Sequence, residues 1–369
     1  MSTIKVTNIE HASTGNGGIQ LDSSGHVTID GQQLPTAGAL SNRNLIINGA
    51  MQVAQRGTSF NQGSSAQYTL DRFQIRIGSS FNADSTVTQD SSGPTGFTKS
   101  FKITPDSTQT PSGSHNAMIS HVVEAQFLQH LAFNTSAAVK TTVSFYVKSN
   151  KTGTYCFQAY NQDAGRIYMR EYTISASDTW EYKTITIPGD TSGVINNDNG
   201  GGLFLYWHLA AGSDDHASED TAWRSSTLFQ TTSNQVNFFD STSNEFYLTG
   251  VQLEVGEKAT PFEHRSYGDE LVRCQRYHQE SPANSAGDYT FLWTGDVTSG
   301  NTYYAWWPLP TAMRATPTVT FNNLGDSRFN ISTITAYPKD TQHIVIGCAS
   351  DSTGARGYFE GSYVATAEL

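Results

Sequence analysis

Catalysis needs acids, bases, nucleophiles or metal ligands within reach of one another, and one stretch of this chain has that character. Asp214-Asp215-His216 is followed by Glu219-Asp220, and Trp207 and Trp223 flank the group. Paired carboxylates beside an aromatic wall would suit glycoside cleavage, and carboxylates with a histidine would suit a metal. The stretch is also rich in Gly, Ser and acid, which is the composition of a solvated loop, and that is the commoner explanation. His11, His115, His121, His130, His264 and His343 fall at no paired spacing. Cys156, Cys274 and Cys348 are far apart and odd in number, neither a disulfide framework nor a zinc pattern. The expectation is no catalytic residue, no metal and no cofactor.

Sugar binding asks for less: an exposed aromatic plate for the C–H face of a ring, with planar amides and carboxylates for its hydroxyls. Trp207 and Trp223 with Asn197, Asp198 and Asn199 form one candidate group, and Trp306 and Trp307 with Trp293 another. Against this, tryptophans of β-sandwiches commonly fill the core. Trp306-Trp307 is informative because adjacent strand residues face opposite ways, so one of the two points away from its own core. Such a ring would cover a neighbouring subunit as readily as a sugar.

The elements that must position these residues are strands. Charged residues make up 15% of the 369, against about 25% in an average globular protein. Small polar residues fill the gap, and 17 Tyr, 19 Phe and 6 Trp supply the bulk, a composition of short strands and polar turns. Apolar residues alternate at Phe73-Ile75-Ile77, Val143-Phe145-Val147, Tyr155-Phe157-Ala159, Tyr168 to Ile174, Ile185-Ile187 and Leu203 to Leu209. About eight strands predict a jelly-roll-like β-sandwich over 43–265, and Ala117 to Phe133 reads as a strand leading into a short helix. In Asn244 to Gln279 the apolar parity changes at Gly250, the mark of a strand with a bulge or of two strands meeting there. Ser266 and Asp269 then resemble a capping box opening a short linking helix over 266–280, with Tyr267, Leu271, Cys274 and His278 on one face. Residues 281–369 repeat the strand idiom as a smaller C-terminal β-domain. The fold class expected is all-β.

Residues 1–42 carry isolated apolar positions at Ile4, Val6, Ile9, Ile19, Leu21, Val27 and Ile29 between glycine turns. Strands this short are marginal alone, so the expectation is an extended segment that docks into an assembly or intertwines with copies of itself. A net charge of -11 without a basic stripe argues against nucleic acid as a partner. The longest apolar run, Leu203 to Ala211, is broken by His208 and is too short for membrane insertion. The N-terminus has no apolar signal core, which implies synthesis in a reducing cytosol.

As a set, Asn44 to Gly57 (NLIINGAMQVAQRG), Leu70 to Phe73, Val143 to Tyr155 (VSFYVKSNKTGTY), Asp178 to Glu181, Pro188 to Thr191, Thr249 to Gly256 and Ala259 to Tyr277 resemble a family of bacteriophage virion proteins. Ser2 to Val6 and Met313 to Thr318 are similar to segments near the ends of phage fibre and tail proteins. The resemblance implies a sandwich similar to carbohydrate-binding modules, in a non-enzymatic fibre-type appendage and most readily a tail fibre. It also implies a trimer, residence in the virion after synthesis in the bacterial cytoplasm, and contact with other virion proteins through the N-terminal segment. Host surface glycan is the expected target. Three other readings stay open: a head fibre or capsid decoration protein, a glycan-degrading tailspike-like enzyme, and a free monomeric carbohydrate-binding module.

Overall fold

The computed structural model describes residues 42–63, 65–78, 80–281, 291–322 and 328–369, together with the backbone of four short strands before residue 42. Those four, Asn8–Ile9, Ile19–Leu21, Val27–Ile29 and Gln32–Gln33, pair in sequence order as one small antiparallel sheet. Ile9, Ile19, Leu21, Val27 and Ile29 lie on these strands, whereas Ile4 and Val6 fall outside the described residues.

The chain is all-β and divides into two compact units, one of residues 1–51, 61–67 and 75–264, the other of 52–60, 68–74 and 265–369. Beyond the N-terminal strands, the first holds two sheets. The seven-stranded one runs Arg224–Ser225, Arg166–Ile174, Gly153–Asn161, Gly201–Ala211, Asn116–Glu124, Phe73–Ile77, Ala66–Tyr68. The six-stranded one runs Glu181–Ile187, Thr141–Ser149, Phe246–Val255, Ser100–Pro105, Ser85–Asp90, Ser59–Gln62. Period-two alternation turns one face of each sheet inward, so Phe145 meets Trp207 and Tyr172 edge-on at centroid distances of 5.7 and 5.2 Å. Each ring so buried contributes roughly 1.5–3 kcal/mol. Thirteen strands stand where about eight were expected, because short polar pieces such as Ala66–Tyr68 and Arg224–Ser225 carry no apolar alternation.

The parity change at Gly250 is a bulge: its φ is +61°, and the register with the neighbouring strand slips between Ser144 and Tyr146. A Cβ there would stand 2.9 Å from both the Phe97 and Tyr146 rings. Asn116–Glu124 does lead into a short 3-10 helix, Ala125–Leu131. Ser266 caps the helix Tyr267–Gln275 by accepting from the Asp269 N–H. One helical assignment fails: His278 lies on the strand His278–Glu280, paired with Thr366. On the helix Cys274 is buried while Tyr267 is exposed. All three cysteines are free and buried.

The second unit is a smaller sandwich. Its long strand Gly354–Thr366 pairs with His278–Glu280, Phe291–Val297, Thr318–Asn322 and Arg328–Phe329. Its other sheet has the order Thr302–Pro308, His343–Ser350, Ile331–Pro338. Val297, Phe359 and Tyr363 from the first sheet close a core with Ile331, Ile344 and Ile346 from the second. Two early segments also belong here, which departs from a linear boundary at residue 265. The reason lies at Arg72, which is fully buried in a turn with φ +67°. Its guanidinium lies over the Tyr277 ring at 3.6 Å and pairs with the Glu368 carboxylate, which Arg56 also grips at 2.7 Å. A charge so deep is tolerable only with such partners, and these are far away in sequence.

Candidate functional site

The strand Thr302–Pro308 alternates strictly, with Thr302, Tyr304, Trp306 and Pro308 outward and Tyr303, Ala305 and Trp307 toward the core. Trp306 is 60% exposed while Trp307 packs on the core, so the adjacent pair divides as strand geometry requires. Register places Tyr304 beside Gly347 and Trp306 beside Val345 on the central strand, and the third strand sets Tyr337 on the far side of Val345. Tyr304 and Tyr337, 59% and 48% exposed, therefore approach diagonally across Gly347, with ring centroids 6.1 Å apart. Gly347 permits this closeness: a Cβ would stand 2.6 Å from Tyr337 Cε2 and 3.2 Å from Tyr304 Cε1. Trp306 is flanked by His343, its ring 5.9 Å away and its Nδ1 within 3.1 Å of Asp340 Oδ1.

With neighbouring strands about 4.8 Å apart, Trp306 and Tyr337 are separated by ~10 Å across the sheet. The exposed hydroxyls of Thr333 and Thr335 complete the face, and the ladder positions on it carry no carboxylate, ammonium or guanidinium. Three open rings on a hydroxyl-bearing surface, with the Asp340 carboxylate only at its end beside His343, can stack on the C–H faces of sugar rings. Exposed aromatic groups in such a cluster are uncommon without a partner.

The other candidates separate. Trp207 is fully buried, wedged against Phe145 and Phe157, because its strand parity points between the sheets. Trp223 is also buried, donates its indole N–H to Pro188 O at 2.6 Å, and packs on Phe133. Neither is an open plate, so the pairing of Trp207 and Trp223 as a sugar site does not hold. Trp293 stacks on Phe359 inside the second unit. Tyr304, Tyr337 and Gly347 were not singled out from sequence. Tyr304 shares Trp306's parity and was readable; Tyr337 depends on cross-strand register, which a sequence does not print.

The acidic stretch serves structure. Asp220 accepts from the Met169 N–H and pairs with Arg224, Glu219 accepts from the Glu171 N–H, and Asp215 accepts from Asn116. Burial, partly offset by Asn116, raises the Asp215 pKa. Among the described residues no group of three or more His, Cys, Asp or Glu could hold a metal.

The outer face of the seven-stranded sheet is covered. Residues 226–236 cross it, with Leu228 O accepting from Gln158 and the Phe229 ring meeting Tyr206 edge-on. Beneath them His208 Nε2 lies 3.1 Å from Gln158 Oε1, and burial lowers its pKa to about 3.

No family model matches the chain, and no curated protein matches its sequence. Among solved structures, the enzymatically active domain of a tailspike protein from bacteriophage CBA120 aligns at 10% identity and a TM-score of 0.29. That alignment covers 58% of this chain but only 22% of the tailspike chain. The family 11 carbohydrate-binding module of a Clostridium thermocellum cellulase aligns at 12% identity over 54% of this chain and 97% of its own, with a TM-score of 0.29. A xylan-binding domain from Paenibacillus barcinonensis aligns at 11% identity over 60% and 100%, with a TM-score of 0.28. At such values the chain is similar to these proteins in being a β-sandwich and is assigned to none of their families.

Proposed function

We propose that this chain is a non-enzymatic binding protein of a fibre-type bacteriophage appendage, recognising neutral carbohydrate on the Tyr304–Trp306–Tyr337 face. The observation that carries the binding half is the set of three outward rings on one sheet whose ladder positions carry no carboxylate, ammonium or guanidinium. The appendage half rests on the resemblance of residues 44–57, 143–155 and 259–277 to phage virion proteins, with tail fibre preferred to head fibre or capsid decoration. No covalent step is involved; weak contacts at single faces are multiplied when copies are held together.

The test is a glycan array probed with the intact protein and with Trp306→Ala. Intact protein should bind a subset of neutral glycans, and the variant should lose at least about tenfold in affinity while keeping its circular dichroism spectrum. Equal binding by the two would overturn the reading. Release of reducing sugar from a bound glycan would instead favour the tailspike-like enzyme, and antibody labelling on the capsid shell would displace the tail-fibre preference.

A further inference from the structure

Within the second unit, on the core side of the Thr302–Pro308 strand, lies a cleft of 580 Å³ that the rings described above do not enter. Small-molecule sites commonly span about 300–1,000 Å³, with mostly apolar walls and a few convergent polar groups. Trp307 and Leu309 form the apolar wall, and Gln55, Gln275, Gln279 and Glu280 bring polar atoms to it. The Trp307 side chain hydrogen-bonds Tyr363, which fixes the orientation of its ring.

The polar atoms are unevenly satisfied. Gln279 is 2% exposed, and its Nε2 donates to Gln275 O at 3.0 Å and Thr311 O at 2.5 Å. Its Oε1 is buried without a hydrogen-bond partner among the described residues, an unusual condition for a buried acceptor. Gln55 Nε2 is occupied by Asp71 and the His278 carbonyl, and Gln275 Oε1 accepts from Thr311. That leaves an acceptor on Gln55 and a donor on Gln275. Among the described residues no lysine or arginine lines the cleft, and Glu280 stands at its side.

We propose that this cleft is a second, pocket-type subsite that takes one neutral sugar ring, stacked on Trp307 with one hydroxyl donating to Gln55 Oε1 and another accepting from Gln275 Nε2. Planar amides suit this role because each offers a donor and an acceptor fixed in one plane, matching the vicinal hydroxyls of a sugar. A carboxylate at the rim and the absence of a cation select against anionic sugars. Burial raises the Glu280 pKa, and Arg56 opposes that shift. The proposal shares the carbohydrate class of the reading above but rests on a separate set of residues.

The experiment is fluorine NMR of the full chain carrying 5-fluorotryptophan, with signals assigned through Trp306→Phe and Trp307→Phe. Glucose, galactose, mannose and N-acetylglucosamine are titrated to about 100 mM, a range that captures weak single-ring binding, with glucuronate as the anionic control. At least one neutral sugar should move the Trp307 signal saturably. Gln275→Ala, which removes the free donor and leaves the Gln279 anchors in place, should weaken that shift at least about fivefold, and an undiminished shift in this variant would overturn the amide contact. Movement of Trp306 alone would overturn the cleft proposal and leave the outer face standing. Movement of Trp307 alone would do the reverse, and stillness of both signals would remove both readings. A Trp307 shift with glucuronate as large as with the neutral sugars would overturn the charge selection.

Discussion

Truncating Trp306 removes a ring whose loss the fold can bear, since most of it faces outward. Truncating Trp207 removes one that the first unit is packed around, and Trp207→Ala should cost about 3–5 kcal/mol of stability, read as a lower urea midpoint. The two variants together separate binding from folding. His208 makes a second prediction. Its folded pKa of about 3 lies below the ordinary histidine value near 6.5. Between those values the unfolded chain takes up a proton that the folded chain refuses, so the stabilising contribution is complete above pH 6.5 and is lost as pH falls. The folding equilibrium should weaken by up to about tenfold per pH unit from this group alone. In His208→Met the slope of urea stability between pH 4.5 and 6.5 should be shallower by about one proton; an unchanged slope would show that the imidazole is not held neutral.

At the scale of elements, Gly250 is the most exacting position in the first unit. Gly250→Ala forces a left-handed backbone on an L residue and drives a methyl into Phe97 and Tyr146. The cost should be roughly 2–4 kcal/mol, measured by denaturation; a change under ~0.5 kcal/mol would mean that the bulge migrates. This bulge was legible because a glycine at a parity switch has a local cause. So was the Ser266 cap, whose partners are three residues apart. The opposite facing of Trp306 and Trp307 followed from strand geometry alone. What stayed hidden depends on distant partners. Residues 226–236 carry no apolar alternation, yet they cover Gln158, whose amide donates to Leu228 O and accepts from the Gln230 N–H. Trp223 looked like an exposed plate until Pro188 supplied its hydrogen-bond acceptor. The Trp306–Tyr337 relation required a register set through a third strand.

For the molecule as a whole, the N-terminal sheet of two- and three-residue strands is the part with least stabilisation of its own. If copies share these strands, deleting residues 1–41 should convert a trimer to a monomer in sedimentation while both units keep their unfolding transitions. A truncated chain that still sediments as a trimer would remove the N-terminal segment from the account of assembly.

The second unit draws on residues 52–60 and 68–74 as well as 265–369, and Arg72 is locked to Glu368 within it. No single crossover in the coding sequence can therefore transfer that unit intact without carrying most of the first unit with it. An exchange near codon 265 would deliver a fragment lacking two of its pieces and leave Glu368 facing a stranger's residue. A lineage of such chains would change its target by point replacement on the outer sheet rather than by swapping cassettes.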